Sequence, residues 1–234
     1  MAKRTSRAAA SRIFLLSPAN CSGRRAQLML SPRAGFDLAR ALHSRNGAQL
    51  GDVFSFVSGL YFRGKLAYAR RFARPPDPGD PIAAGGVLVI TPNAGLRAAD
   101  TVVTVASIQG FAAADIDVRN PKYRKPLEDA ASAVLSAIGP ECEVVLLGSV
   151  ASGKYVDVLL PIFGRQLTFP NHFVGRGDMS RGGLMLRCVA TGLELDYVPI
   201  DGAVRHGARP PKLEPLTTPA HAAPPARSNS PRRR

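Results

Sequence analysis

Short continuous apolar runs alternate with longer amphipathic stretches along this chain, and their spacing predicts strands and helices in turn. Arg12-Ile-Phe-Leu-Leu16 reads as a buried strand stopped by Ser17-Pro18, and residues 36–43 as a short helix. Asp52-Val-Phe-Ser-Phe-Val57 reads as a second strand, which passes through Ser58-Gly59 into a helix carrying Tyr61, Leu66, Tyr68 and Phe72. After a Pro- and Asp-rich surface loop at 75–81, Gly86-Val-Leu-Val-Ile-Thr91 is the clearest buried strand. Pro92-Asn93-Ala94-Gly95 ends it with turn chemistry, and residues 101–105 read as a shorter strand. Residues 121–138 place Leu127, Ala131, Val134, Leu135 and Ile138 on one side of a helix closed by Gly139-Pro140. A strand at 142–147, a helix at 155–163, a short strand at 166–169, a helix at 180–190 and an edge strand at 195–200 complete the pattern. Continuous apolar strands separated by helices predict an α/β fold: a three-layer sandwich with a central, largely parallel sheet.

Composition sharpens the boundaries. With 234 residues, 45% of them hydrophobic, the chain can build one sizeable core. The expectation is a single α/β domain at 11–202, a disordered basic start at 1–10 and a disordered Pro/Ala/Arg-rich tail at 203–234. The formal charge of +14 is unevenly spread. Residues 1–7 and 205–234 hold ten basic residues against Glu214, a net +9, which leaves +5 for residues 8–204. Three scattered cysteines and four histidines lack metal-ligand or disulfide spacing, so no metal and no cofactor is expected, and a reducing cytoplasm is the simplest location. No apolar run approaches the roughly 20 residues that span a bilayer, so no membrane partner is expected. The first 36 residues lack acids and carry several Arg and Ser, as transit peptides do, but residues 12–16 fit a first core strand better.

The candidate chemistry sits in glycine-rich turns. Phe173-Val-Gly-Arg-Gly-Asp-Met-Ser-Arg-Gly-Gly-Leu184 runs into a helical pattern and reads as an anion site. Gly177 offers close backbone approach, the helix start attracts negative charge, Ser180 adds a hydroxyl, and Arg176 and Arg181 can fork onto phosphate oxygens. Asp178, inside that turn, is the candidate catalytic carboxylate, held ionised by its arginines as a base or electrostatic stabiliser; a salt-bridging or capping role is the plainer reading. Gly148-Ser-Val-Ala-Ser-Gly-Lys154 matches part of a phosphate-binding loop, but Tyr155 stands where magnesium ligation needs Ser or Thr, so a ligand-facing turn is favoured over an NTPase. Ser17, Asn20 and Arg24 follow the first strand, where open α/β sheets place ligand loops. Cys21 reads as a packed cysteine rather than a nucleophile. Tyr61 and Arg63 offer stacking and a phosphate contact, and Asn93 can read a base edge through its amide.

The order of Leu16-Ser-Pro-Ala-Asn-Cys21, the helix from Tyr61 to Phe72, Ile90-Thr-Pro-Asn-Ala-Gly-Leu96, Lys154-Tyr155 and a final Gly-Arg-Gly turn resembles an uncharacterised bacterial protein family over most of residues 12–210. More distantly, it is similar to the bacterial peroxide-stress protein family and to uracil-DNA-glycosylase-like domains of tRNA-modifying enzymes. The resemblance implies an α/β sandwich that handles a nucleobase or nucleic acid. The Gly-Gln-Asp-Pro-Tyr and His-Pro-Ser loops of true uracil-DNA glycosylases are missing, so it carries the sheet and the ligand location rather than the reaction. The expected function is therefore a nucleotide- or nucleic-acid-binding protein with a glycine-rich phosphate pocket, its chemistry, if any, directed at an N-glycosidic or phosphate bond. A non-catalytic binding module driven by the basic tails is the alternative from a different class, and oligomeric state is left open.

Overall fold

A computed structural model describes residues 10–213, and the expectations for residues 1–9 and 214–234 lie outside them. Six strands form the central sheet in the order β4-β3-β1-β6-β7-β8. They are β1 (Arg12–Leu16), β3 (Val87–Ile90), β4 (Leu96–Ala98), β6 (Glu143–Leu147), β7 (Leu167–Pro170) and β8 (Tyr197–Pro199). The inner strands β3, β1, β6 and β7 run parallel, and β4 and β8 close the edges antiparallel. Two further strands, β2 (Ala48–Gln49) and β5 (Val102–Val103), make a small antiparallel ribbon apart from it.

Alternation along β1 explains the three layers, because successive side chains point to opposite faces of a strand. Phe14 and Leu16 enter a core with residues of α1 (Arg24–Leu30), α2 (Asp37–His43), α3 (Leu50–Ser58), α4 (Leu60–Phe72), α5 (Val105–Ala113) and α8 (Asp178–Thr191). Ile13 and Leu15 enter a second core beneath α6 (Pro121–Ile138) and α7 (Gly153–Phe163). Ile13, Phe14, Leu15 and Leu16 are all fully buried, and each contributes on the order of 1.5–3 kcal/mol of burial. The α/β three-layer sandwich expected from the pattern is the observed fold.

One element differs in kind. Residues 52–57, expected as a strand, lie within helix α3, whose buried positions Leu50, Val53, Phe54 and Val57 follow the i, i+3, i+4, i+7 stripe of a helix. The run looks strand-like only when Leu50 is left out. Gly59, at φ +66 and ψ −131, turns the chain from α3 straight into α4. Residues 203–213 carry no regular structure, and Gly175, at φ +70, lies directly against the Ala208 carbonyl.

The two ends of the sheet are built differently. At the amino ends of β1 and β6, Arg12 pairs with Glu143 and Glu194, Arg74 pairs with Glu194, and the Tyr197 hydroxyl donates to Glu194 at 3.0 Å. Tyr68 and Tyr197 share a hydrogen bond of 2.6 Å. This network ties β1, β6 and β8 together at that end. The carboxyl ends of the same strands are open loops.

Candidate ligand cleft at the carboxyl edge of the sheet

Strand order reverses between β1 and β6: the chain passes from β1 to its neighbour β3 on one side, then returns to add β6 on the other. In open α/β sheets that reversal leaves a crevice beyond the strand ends. Here a cleft of about 530 Å³ occupies it, lined by Pro18, Ala19, Asn20 and Ser22 after β1, residues 112–116 at the end of α5 and just beyond it, and Lys154 and Tyr155 at the start of α7. Asn20 is held by an Asx turn in which its Oδ1 accepts from the Ser22 backbone N–H and hydroxyl, leaving the Nδ2 amide facing outward as a donor. Lys154 brings an ammonium. Tyr155 brings a ring whose hydroxyl, raised to about 12 chiefly by burial, stays protonated at neutral pH.

Immediately below, Ser17 and Lys65 form a buried pair. Lys65 is 1% exposed, yet among the described residues no carboxylate lies within 4 Å of its Nζ. Its partners are the Ser17 carbonyl at 2.5 Å and the Ser17 Oγ at 2.9 Å, with the rings of Tyr61 and Phe62 at 4.5 and 4.8 Å. Desolvation pushes the amine down to about 7, slightly opposed by Asp178 and reinforced by Arg181. Gly148, following β6, packs against Ser17: a Cβ there would come within 2.9 Å of the serine Cβ and 3.2 Å of Oγ. Tyr61 is buried beside Arg181, and among the described residues its hydroxyl has no partner in hydrogen-bond geometry.

The expected site residues fall into three groups. Asn20, Lys154 and Tyr155 line the cleft, while Ser17 and Tyr61 lie in the buried cluster under it. Asn93, Arg24 and Arg63 lie elsewhere. The Asn93 amide donates to the Gly110 carbonyl at 3.1 Å and ties its turn to α5, and Arg24 and Arg63 are exposed on helix surfaces away from the lining. The glycine-rich turn makes up the third group. Arg181 is 8% exposed, and its Nε and Nη2 donate to the Phe173 carbonyl at 3.2 and 3.0 Å, with the guanidinium over the Phe173 ring. Asp178, exposed, stands 3.9 Å from Arg181. Gly182 serves helix packing. A Cβ on it would lie 2.8 Å from the Leu60 carbonyl oxygen, so α8 crosses α4 in backbone contact. Arg176 donates to the Ser180 hydroxyl and to the Pro211 carbonyl. With Gly177, Ser180, Arg187, Arg209 and Lys212 it lines a separate, cation-rich cleft of about 370 Å³ that shares no residue with the first.

Arg181 is thus committed to the fold. Arg181→Ala removes a buried, charge-assisted pair of hydrogen bonds and leaves the Phe173 carbonyl with the Arg176 backbone N–H at 3.2 Å, an expected loss of about 2 kcal/mol by urea unfolding. Arg176→Ala, on a partly exposed side chain, should cost less than about 1 kcal/mol.

Two sequence options are set aside by geometry. The Cys21 thiol is buried, faces the Ala19 carbonyl at 3.7 Å and is pushed up to about 12 by desolvation, so the reactive thiolate is disfavoured. At the Gly148–Lys154 loop, Asp157 folds its carboxylate back over Gly153, setting negative charge where a phosphate-binding loop would cradle phosphate. Lys65 was not among the expected site residues. The signal was present, since Tyr61, Lys65, Tyr68 and Phe72 make one helical stripe in which a lysine stands among aromatics. Among the described residues no group of His, Cys, Asp and Glu is arranged to hold a metal ion, and no helix is long and apolar enough to cross a membrane. Comparison of the chain with protein-family models, with curated proteins and with solved structures finds no match.

Proposed function

We propose that the protein binds a nucleotide, or a nucleotide unit of a nucleic acid, in the cleft at the carboxyl edge of β1 and β6. The observation that carries this reading is the convergence of Asn20, Ser22, Lys154 and Tyr155 on one cleft where the strand order reverses. Each supplies a piece of nucleotide recognition. The free amide of Asn20 and the Ser22 hydroxyl can meet a base or sugar edge, the Tyr155 ring offers an aromatic surface, and the Lys154 ammonium meets phosphate as a point charge. The resemblance to nucleobase-handling domains points the same way. Calorimetric titration with AMP, GMP, CMP and UMP tests it. At least one should bind, and Lys154→Ala or Asn20→Ala should weaken binding about tenfold, the equivalent of about 1.4 kcal/mol, while Arg176→Ala leaves it unchanged. Absence of binding by all four, or binding indifferent to both cleft substitutions, overturns the reading.

A second reading rests on the other cleft. Arg176, Arg209 and Lys212 gather there, and among the described residues no acid lines the cleft, which suits contact with a nucleic-acid backbone. Binding of single-stranded DNA that falls steeply with salt and is halved or worse by Arg209→Ala, with mononucleotide binding unaffected, would favour it.

A further inference from the structure

We propose that Ser17 and Lys65 are a nucleophile–base dyad at the floor of the cleft, acting on a phosphate ester. The substrate class rests on the nucleotide reading above; the dyad rests on its own geometry. Ser17 Oγ and Lys65 Nζ are 2.9 Å apart, within reach for direct proton transfer. A neutral amine fits both observed contacts: one N–H donates to the Ser17 carbonyl at 2.5 Å, and the nitrogen lone pair accepts from the serine hydroxyl. A lysine that served only to tie α4 to the end of β1 would ordinarily be charged and matched by a carboxylate, since an unpaired buried ammonium is costly. The charged and titratable groups facing it are Tyr61 on its own helix, Tyr155 on α7, and Asp178 and Arg181 on α8. Of these, Asp178 favours its charge, Arg181 opposes it, and both tyrosines are neutral at physiological pH. Burial dominates, and a large fraction of the amine is free base near neutrality.

Access comes from the residues around the serine. Pro18, Ala19 and Asn20, which follow Ser17 directly, form a wall of the cleft, and Tyr155 forms another. Beside Oγ, Gly148 packs so closely that any side chain there would press on the serine. A nucleophile at the end of the central strand, with a base below it and a cleft beyond it, has the required order of parts.

The chemistry balances with water as the only co-reactant. Lys65 Nζ takes the Ser17 proton as Oγ bonds to phosphorus, and the bond from phosphorus to the leaving oxygen breaks. That alkoxide takes a proton from water, leaving hydroxide. Hydroxide attacks phosphorus, the bond to Oγ breaks, and Oγ recovers its proton from the Lys65 ammonium. A phosphodiester and one water become an alcohol and a phosphate monoester.

A fluorophosphonate probe tests the dyad without a known substrate, because Oγ attack on its phosphorus expels fluoride and leaves a stable adduct. Mass spectrometry should place the adduct on Ser17, and Ser17→Ala should abolish it. In the wild-type protein the labelling rate should rise at least fivefold between pH 6 and pH 8, and Lys65→Met should slow it about a hundredfold or more. The wild-type pH profile keeps the test decisive even if Lys65→Met fails to fold. No adduct on Ser17, or a rate on Ser17 flat between pH 6 and pH 8, overturns the dyad. Nucleotide titration of Ser17→Ala separates the two ideas: binding retained without wild-type labelling discards the dyad alone, and labelling without any nucleotide binding discards the ligand class alone.

Discussion

Gly182→Val is expected to destabilise the protein by about 4 kcal/mol or more, enough to leave little folded protein if the whole stability lies in the usual 5–15 kcal/mol range. The reason is the α4–α8 crossing. A Cβ on Gly182 would meet the Leu60 carbonyl oxygen at 2.8 Å and the Tyr61 Cα at 2.9 Å, and a Cβ on Gly64 would meet the Gly182 carbonyl oxygen at 2.7 Å. All of these are backbone atoms, so no rotamer change relieves the clash, and the helices must separate. Separation pulls Tyr61 and Lys65 away from β1 and from Arg181. Even Gly64→Ala, which gains about 1 kcal/mol of helix propensity, should lose roughly 2 kcal/mol net. Gly177→Ala is the control. Nothing lies within 4 Å of its Cβ position and its φ is −79, so its unfolding midpoint in urea should stay close to wild type.

Lys65→Met should change how stability depends on pH. In the folded protein the amine is lowered to about 7 from an ordinary value of 10.5, so between those limits the unfolded chain binds more protons than the folded one. Stability from this group therefore rises with pH across the window, by at most about 1.4 kcal/mol per pH unit, and the ammonium is an unfavourable burden below it. From pH 7 to pH 9 the wild type should gain roughly 2 kcal/mol relative to Lys65→Met. Tyr61 and Tyr155, both held near 12, remain neutral throughout and cancel in the comparison. The methionine variant leaves the Ser17 carbonyl and hydroxyl without their Lys65 partner, so its absolute stability reflects two opposed effects while the pH slope reports the amine alone. Parallel slopes for the two proteins would mean that Lys65 stays charged in the folded state.

The sheet was legible because its inner strands are buried on both faces and so appear as unbroken apolar runs at 13–16, 87–90 and 144–147. Helix α3 was not, since Val53-Phe-Ser-Phe-Val57 satisfies a strand pattern as readily as a helical one until Leu50 is counted. The glycine-rich turn shows a different difficulty. Gly182 looks alike in sequence whether it frees a backbone for an anion or lets two helices touch, and only the partner helix decides. Strand order has the same character. Ser17 meets Gly148 across more than a hundred residues because β1 lies beside β6, and no local signal marks that neighbour. Asn20, Lys154 and Tyr155 were recognisable singly by residue type and loop position, but their convergence follows from the crossover.

Hydrogen–deuterium exchange of the wild-type protein with and without saturating mononucleotide tests the central claim most directly. Exchange should slow in the segments around residues 17–22, 112–116 and 153–155, the three walls of the cleft. Protection confined to residues 176–187 and 209–212, or no protection anywhere, would contradict it.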